Sequence, residues 1–291
     1  MTKKFKNIYI PVEITNRDFL SRLLIAYHAA EEGFKVYLGS KQEIENFVKI
    51  SKPGIYLGLV TTKTYANFYQ KLKDKSFEIY VIDEEGLVTF DDAMYLDLKV
   101  SNESLKNINA LFTWGCEHNE IITKKYPNYR NKIIDTGSPR FDLFNKEFIP
   151  IYNEKVEKIK HEYRQFTLIC GSFSFVNHFN EKLNYVKVLR NQHVLKNSED
   201  ERKFLDYCAF NKNTMLKFTK ITKQLAEKNP SHNFIYRPHP AENPNIYLNE
   251  FKNYKNIKVL YKYSLIEWIL ASKAVVHAYC TSSIEAFFVD I

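Results

Sequence analysis

Long hydrophobic runs are missing from this 291-residue sequence, and none approaches the roughly 20 apolar residues that a membrane-spanning helix needs. The start, Met1 to Asn7, is basic, but only a short apolar run follows before Glu13. A secretory signal needs a longer apolar region and a small-residue cleavage site, so a cytoplasmic location is expected. Cysteine is sparse. Cys116, Cys170, Cys208 and Cys280 are widely spaced and form no C-x-x-C pair. This fits neither a disulfide framework nor a zinc site, and each cysteine is expected as a small core residue in a reducing compartment. The glycine spacing of a P-loop or dinucleotide fingerprint is also absent, and no D-x-D-type metal pair stands out.

What remains is the composition of a globular protein, 45% apolar and 26% charged, in a length that suits two domains. The net charge of +8 comes from scattered lysines, as in Lys3-Lys4, Lys71 to Lys75 and Lys252 to Lys262. Scattered lysine reads first as solvated surface. Its functional alternative is weak attraction to anionic lipid at the inner membrane face, or to a phosphorylated acceptor. No nucleic-acid motif accompanies the charge, so nucleic acid is not an expected partner.

Apolar runs at Ile8 to Val12, Val36 to Leu38, Ile55 to Leu59, Phe77 to Ile82, Leu111 to Thr113 and Ile133 to Ile134 read as strands. Helical segments lie between them. The first starts near Asn16, puts Phe19, Leu20, Leu23, Leu24, Tyr27 and Ala30 on one apolar face, and closes at Gly33. Ser40 and Glu43 form a capping box for the next. Such alternation predicts a parallel sheet covered on both faces, a Rossmann-like domain over residues 1–150. Pro150 to Gln165 reads as a charged linker helix.

A second α/β domain then covers 151–291, with strands at Phe166 to Cys170, Asn233 to Tyr236, Ile257 to Leu260 and Ala274 to Ala278. Its helices are expected near Glu201 to Phe210, Thr214 to Lys228 and Ser264 to Ala271. Phe173 to Asp200 is an irregular polar stretch, long enough to suggest function. The chain ends about one turn into an apolar helix opening at Ser282, so this domain reads as truncated at its C-terminus.

Ligands of open parallel sheets bind beyond the carboxyl ends of the strands, near helix N-termini. Three polar clusters fall there. After the strand Phe77 to Ile82 stands Asp83-Glu84-Glu85-Gly86, where a carboxylate can act as general base and Gly86 permits a tight turn. The bland reading is an acidic turn capping a helix. After Asn233 to Tyr236 stands Arg237-Pro238-His239-Pro240, a proline-stiffened loop whose imidazole and guanidinium suit a leaving phosphate. Its alternative is a stiff structural turn. After Ala274 to Ala278 stands Thr281-Ser282-Ser283, hydroxyls at a helix start. There Ser282 could equally be an N-cap with Glu285 as its box partner. Weaker candidates are Gly171-Ser172, Ser138 after Gly137, and Glu13 with Arg17 at the first strand end. Trp114 and His118 read as packing residues.

The set resembles bacterial sialyltransferases and polysialyltransferases. Glu84-Glu85-Gly86 is similar to their acidic D/E-D/E-G motif, His239-Pro240 to their HP motif and Ser282-Ser283 to their paired serines, in the same order. Over most of its length the chain more closely resembles the bacterial surface carbohydrate biosynthesis protein family. That likeness runs through Ile8-Tyr-Ile-Pro-Val-Glu13, Gly137-Ser-Pro-Arg-Phe-Asp142, Tyr236-Arg-Pro-His-Pro240 and Thr281-Ser-Ser-Ile-Glu-Ala286.

The resemblance implies a GT-B-like α/β fold, two Rossmann-like domains facing across a cleft with the nucleotide in the second. It implies inverting transfer of an acidic sugar, sialic-acid-like or Kdo-like, from a CMP-activated donor. The acceptor would be a glycan or lipid-linked glycan of a surface polysaccharide such as capsule or lipopolysaccharide. Glu85, or else Glu84, would be the base. His239 would stabilise or protonate the departing phosphate, with Arg237 beside it. Pro240, Thr281, Ser282, Ser283, Gly171, Ser172 and Ser138 would line the donor site, and Glu13 and Arg17 the acceptor side. CMP is a good leaving group, so no cofactor and no essential metal are expected.

Three rivals stay open. A teichoic-acid-type enzyme would transfer glycerol or ribitol phosphate from a CDP donor. A sugar-nucleotide 2-epimerase would share the two-domain fold. A catalytically silent binding protein of a surface-polysaccharide pathway would share neither chemistry.

Overall fold

Every strand is followed by one or more helices before the next strand begins. The computed structural model describes residues 5–83, 92–182, 184–191, 194–278 and 280–291. The chain divides into two compact units, 1–145 and 146–291.

In the first unit the strands are β1 (Asn7–Val12), β2 (Lys35–Ser40), β3 (Ile55–Gly58), β4 (Glu78–Ile82), β5 (Ala110–Thr113) and β6 (Ile133–Asp135). They pair in parallel in the order β2-β1-β3-β4-β5-β6. Around them run α1 (Thr15–Glu31), α2 (Lys41–Phe47), α3 (Ala66–Asp74), α4 (Asp92–Lys99), α5 (Asn102–Asn107), α6 (Cys116–Lys125) and the short α7 (Pro139–Asp142). Successive strand side chains point to opposite faces. Ile8 and Ile10 accordingly join one core with Ala26, Leu57 and Ile82. Tyr9 joins the other with Ile79, Val81, Leu105 and Leu111. Burial on both faces is why these strands read as continuous apolar runs.

Helix α1 departs from the expected pattern. Phe19, Leu23 and Tyr27 are exposed, while Asp18, Ser21, Arg22 and Ala26 are buried. The buried stripe is largely polar, and Asp18 and Ser21 find partners within the helix start. Asp18 accepts the Ile14 N–H at 3.0 Å, and Ser21 donates to the Asp18 carbonyl at 2.8 Å. Gly33, with φ +81°, does close the helix as expected, its N–H reaching the Ala30 carbonyl at 2.8 Å.

The second unit holds β7 (Phe166–Cys170), β8 (Asn233–Arg237), β9 (Ile257–Val259) and β10 (Ala274–His277), all parallel in the order β10-β7-β8-β9. Its helices are α8 (Asn153–Tyr163), α9 (Tyr185–Asn191), α10 (Ser198–Lys228), α11 (Pro244–Phe251), α12 (Leu265–Ala271) and α13 (Ser282–Phe288). The segment read as a linker is α8. It buries Val156, Ile159 and Tyr163, and Tyr163 packs its ring against Trp268 of α12. The two helices expected between 201 and 228 are one, α10, capped by the Asn197 side chain on the Asp200 N–H.

The order β10-β7-β8-β9 contains one topological switch. From β7 the chain builds outward through β8 and β9, then returns to add β10 on the other side of β7. The switch thus lies between β10 and β7, and in open parallel sheets ligands bind beyond the carboxyl ends of the strands at such a point. Among the described residues no helix is long and apolar enough to cross a membrane.

Candidate functional site

Register fixes what stands at the carboxyl edge of this sheet. His277 of β10 is level with Cys170 of β7, and Cys170 is level with Arg237 of β8. The segments that continue past this row carry Thr281-Ser282-Ser283, Gly171-Ser172 and Pro238-His239-Pro240. The topology thus brings three of the sequence-predicted clusters to one edge of one sheet.

His239 and Pro240 are exposed and Pro238 is buried. The Ala241 N–H donates to His239 Nδ1 at 3.2 Å, which in a neutral ring puts the proton on Nε2. The loop is held from below by Glu242, only 3% exposed. Glu242 Oε1 accepts the His239 N–H at 3.0 Å and also the Phe173 N–H at 3.0 Å. Its Oε2 accepts from Asn177 Nδ2 at 3.4 Å and from the Tyr247 hydroxyl. Burial, with the Glu242 charge beside it, pushes the Tyr247 phenol well up from its ordinary value. Glu242 and Asn177 were not legible as site residues. The one available signal was an acidic residue three positions past a histidine in a proline-stiffened strand-end loop.

At the β10 edge the hydroxyls are engaged inward. Ser282 is buried, with Oγ 2.6 Å from Cys280 Sγ, and Ser283 Oγ donates to the Cys280 carbonyl at 3.1 Å. The N-cap of α13 is Thr281, not Ser282, and its side chain makes no cap bond. The alternative reading of Ser282 as an N-cap boxed with Glu285 does not hold, because Ser282 already lies inside the first turn. Cys170 is buried below this corner, which raises its thiol well above the ordinary value.

Arg237 is bonded to the turn that precedes α12. Its Nη1 donates to the Lys262 carbonyl at 3.0 Å and its Nη2 to the Tyr263 carbonyl at 2.8 Å, and the guanidinium lies 4.8 Å from the Tyr261 ring centre. A buried guanidinium needs acceptors, and the turn between β9 and α12 provides them. Burial lowers its pKa from the ordinary arginine value. Gly171 is a packing requirement. A Cβ there would stand 2.9 Å from the Phe173 ring and 3.2 Å from the Tyr236 hydroxyl. Ser172, half-buried, follows it in the segment after β7.

The remaining candidates belong to the first unit. Glu84 and Glu85, with Gly86, lie outside the described residues. Just before them, buried Asp83 accepts from the Tyr95 hydroxyl on its carboxylate and from Trp114 Nε1–H on its carbonyl. His118, read as a packing residue, completes this network. Ser138, placed among donor residues by sequence, follows β6 in the first unit, whereas His239 and Ser282 belong to the second. Its Oγ is buried and makes no hydrogen bond, and Gly137 before it has φ +77°. Glu13 is exposed, 2.6 Å from Lys41 Nζ and 3.9 Å from Arg17 Nη2, and Arg17 Nε also donates to Asp18 at 2.5 Å. Cys116 is exposed, against the expectation that every cysteine is a core residue. Among the described residues no group of three or more His, Cys, Asp or Glu side chains is arranged to hold a metal ion.

The two units and their strand order define a GT-B-like fold built from two Rossmann-like units, and solved structures share it. UDP-N-acetylglucosamine 2-epimerase from Rickettsia bellii superposes with a TM-score of 0.55 over 99% of this chain and 77% of its own, at 13% identity. UDP-GlcNAc 2-epimerase from Methanocaldococcus jannaschii gives 0.54 over 98% and 81%, at 14% identity. The wall teichoic acid polymerase TagF gives 0.52 over 98% and 68%, at 10% identity. No protein-family model matches the sequence, and no curated protein matches it. At these identities the likeness is one of fold.

Proposed function

We propose that this chain is a sugar-nucleotide enzyme of surface-glycan assembly, and specifically a glycosyltransferase using a CMP-activated acidic sugar. The observation that carries the reading is that the segments bearing Thr281 and Ser283, Ser172 and His239 continue from the carboxyl ends of three adjacent parallel strands, β10, β7 and β8. The fold relatives support the coarser part, since their names include UDP-sugar epimerases and a teichoic acid polymerase. The resemblance to sialyltransferase motifs supports the finer part.

In this reading the nucleotide phosphate lies over the ends of β7 and β8. His239 presents Nε2–H to it, a donor whose bond strengthens as the glycosidic bond breaks and charge gathers on the phosphate. Ser283 exchanges its bond to the Cys280 carbonyl for a phosphate oxygen, and Thr281 adds a second hydroxyl. Glu85 takes the proton of the attacking acceptor hydroxyl. Arg237 holds the β9–α12 turn in place and makes no phosphate contact. The work takes place in the cytoplasm, with a glycan or lipid-linked glycan as acceptor.

Calorimetric titration of the full chain with CMP, CDP, UDP and GMP tests the reading. Preference for CMP, with affinity weakened but measurable in His239→Ala, is the expected result. Preference for CDP would favour alditol-phosphate transfer and preference for UDP an epimerase. No binding of any nucleotide would leave a binding protein.

A further inference from the structure

Glu242 sits where two loops from different strands meet. The Phe173 N–H comes from the segment after β7 and the His239 N–H from the loop after β8, and both reach one carboxylate oxygen at 3.0 Å. Around that point the segments are laced together. Phe179 N–H donates to the Ala241 carbonyl at 2.9 Å, and Asn243 N–H to the Asn177 carbonyl at 2.9 Å. Asn177 Nδ2 reaches the Asn243 carbonyl at 3.1 Å, and Asn243 Nδ2 reaches Glu181 at 3.0 Å. The stretch that looked like an irregular connection is, from Phe173 to Glu181, a wall tied to the His-Pro loop.

Main-chain donors carry no sequence identity, so what selects this arrangement is the acceptor. A buried carboxylate can take several N–H and O–H donors at once, and each bond is charge-assisted. Glutamine keeps one acceptor oxygen for the two N–H groups. It then sets its own NH2 towards Asn177 Nδ2 and the Tyr247 hydroxyl, where donors already point.

We propose that Glu242 is a positioning residue for the nucleotide site, acting through His239. It fixes the His239 main chain, and with it the direction in which Nε2–H is presented, against the wall that follows β7. This rests on the reading that His239 contacts the nucleotide phosphate.

The test is a double-mutant cycle read by CMP calorimetry on the full chain. Glu242→Gln should weaken CMP binding about tenfold, the scale of a lost charge-assisted hydrogen bond, with the circular dichroism spectrum unchanged. The Glu242→Gln, His239→Ala double variant should bind no more weakly than His239→Ala alone, because the effect passes through the imidazole. A residue that only stabilises the fold would instead add its loss to that of His239→Ala. Wild-type affinity in Glu242→Gln, or full additivity in the double variant, overturns the inference while leaving the nucleotide site standing. Should Glu242→Gln not fold, amide exchange of the wild-type chain decides. CMP should slow the His239 and Phe173 amides together, and slowing of His239 alone overturns the clamp. A wild-type chain that binds no cytidine nucleotide would overturn the functional reading itself, and this inference with it.

Discussion

Tyr95 Oη lies 2.7 Å from His118 Nε2, and the direction of that bond is set by what surrounds it. The Trp114 N–H donates to His118 Nδ1 at 3.2 Å, so the neutral ring carries its proton on Nε2 and donates to Tyr95. Tyr95 in turn donates to the Asp83 carboxylate, which stands 3.7 Å from His118 Nε2. A second ring proton would point at the Trp114 N–H. Burial lowers the His118 pKa from its ordinary value, against the pull of Asp83 and Asp135.

The pH dependence of stability follows. The unfolded chain takes up a proton on this histidine near pH 6.5, and the folded chain does so only at lower pH. Between those points the unfolded state binds more protons, so stability falls as pH falls through that window. Thermal melts of wild type and His118→Gln from pH 7.5 to 5 should show a steeper acid loss in the wild type. Parallel curves would assign the acid sensitivity to other groups.

Gly171→Ala should destabilise the second unit by about 1–3 kcal/mol, the usual cost of forcing an extra group into a packed site. The intruding methyl meets the Phe173 ring at 2.9 Å, so the cost should shrink when Phe173 is cut back to leucine. Urea denaturation of the two single variants and the double variant measures it. Equal costs in both backgrounds would mean the strain lies elsewhere.

Arg237→Met should cost about 2–4 kcal/mol, because the Lys262 and Tyr263 carbonyls would lose buried donors. Arg237→Lys should recover only part of this, since an ammonium cannot span two carbonyls as a guanidinium does. A phosphate ligand would behave in the opposite way, losing CMP affinity at unchanged stability.

The sheets were legible because strands buried on both faces are apolar runs, as in Phe166 to Cys170 and Asn233 to Tyr236. Helix α1 was misread because its buried side carries Asp18, Ser21 and Arg22, which hydropathy assigns to water. In the second unit the strand-end clusters were legible as positions, and their side-chain directions were not. Arg237 reads as a phosphate partner until the carbonyls at 262 and 263 appear beneath it. Beyond its spacing from His239, Glu242 left no mark, because its meaning arises only when the sheet brings the Phe173 N–H, from 69 residues away, to the same oxygen. Pattern records burial and local turns, whereas such a partner is set by topology.

The last prediction concerns the base. Glu85 adjoins Gly86, where the chain can turn tightly and carry a side chain towards substrate. Glu84 is next in sequence to Asp83, whose carbonyl and carboxylate are held by Trp114 and Tyr95. Glu85→Gln keeps the size and most hydrogen-bonding capacity of the side chain but cannot accept a proton. Turnover should fall by about 10²- to 10⁴-fold, the usual share of a general base, with CMP affinity nearly intact. Initial-rate transfer from a CMP-activated acidic sugar, with calorimetry in parallel, separates the two effects. If Glu84→Gln abolishes transfer while Glu85→Gln stays active, the roles are exchanged. If both retain wild-type rates, this acidic pair is not the base, and proton removal must be sought among other groups of the first unit.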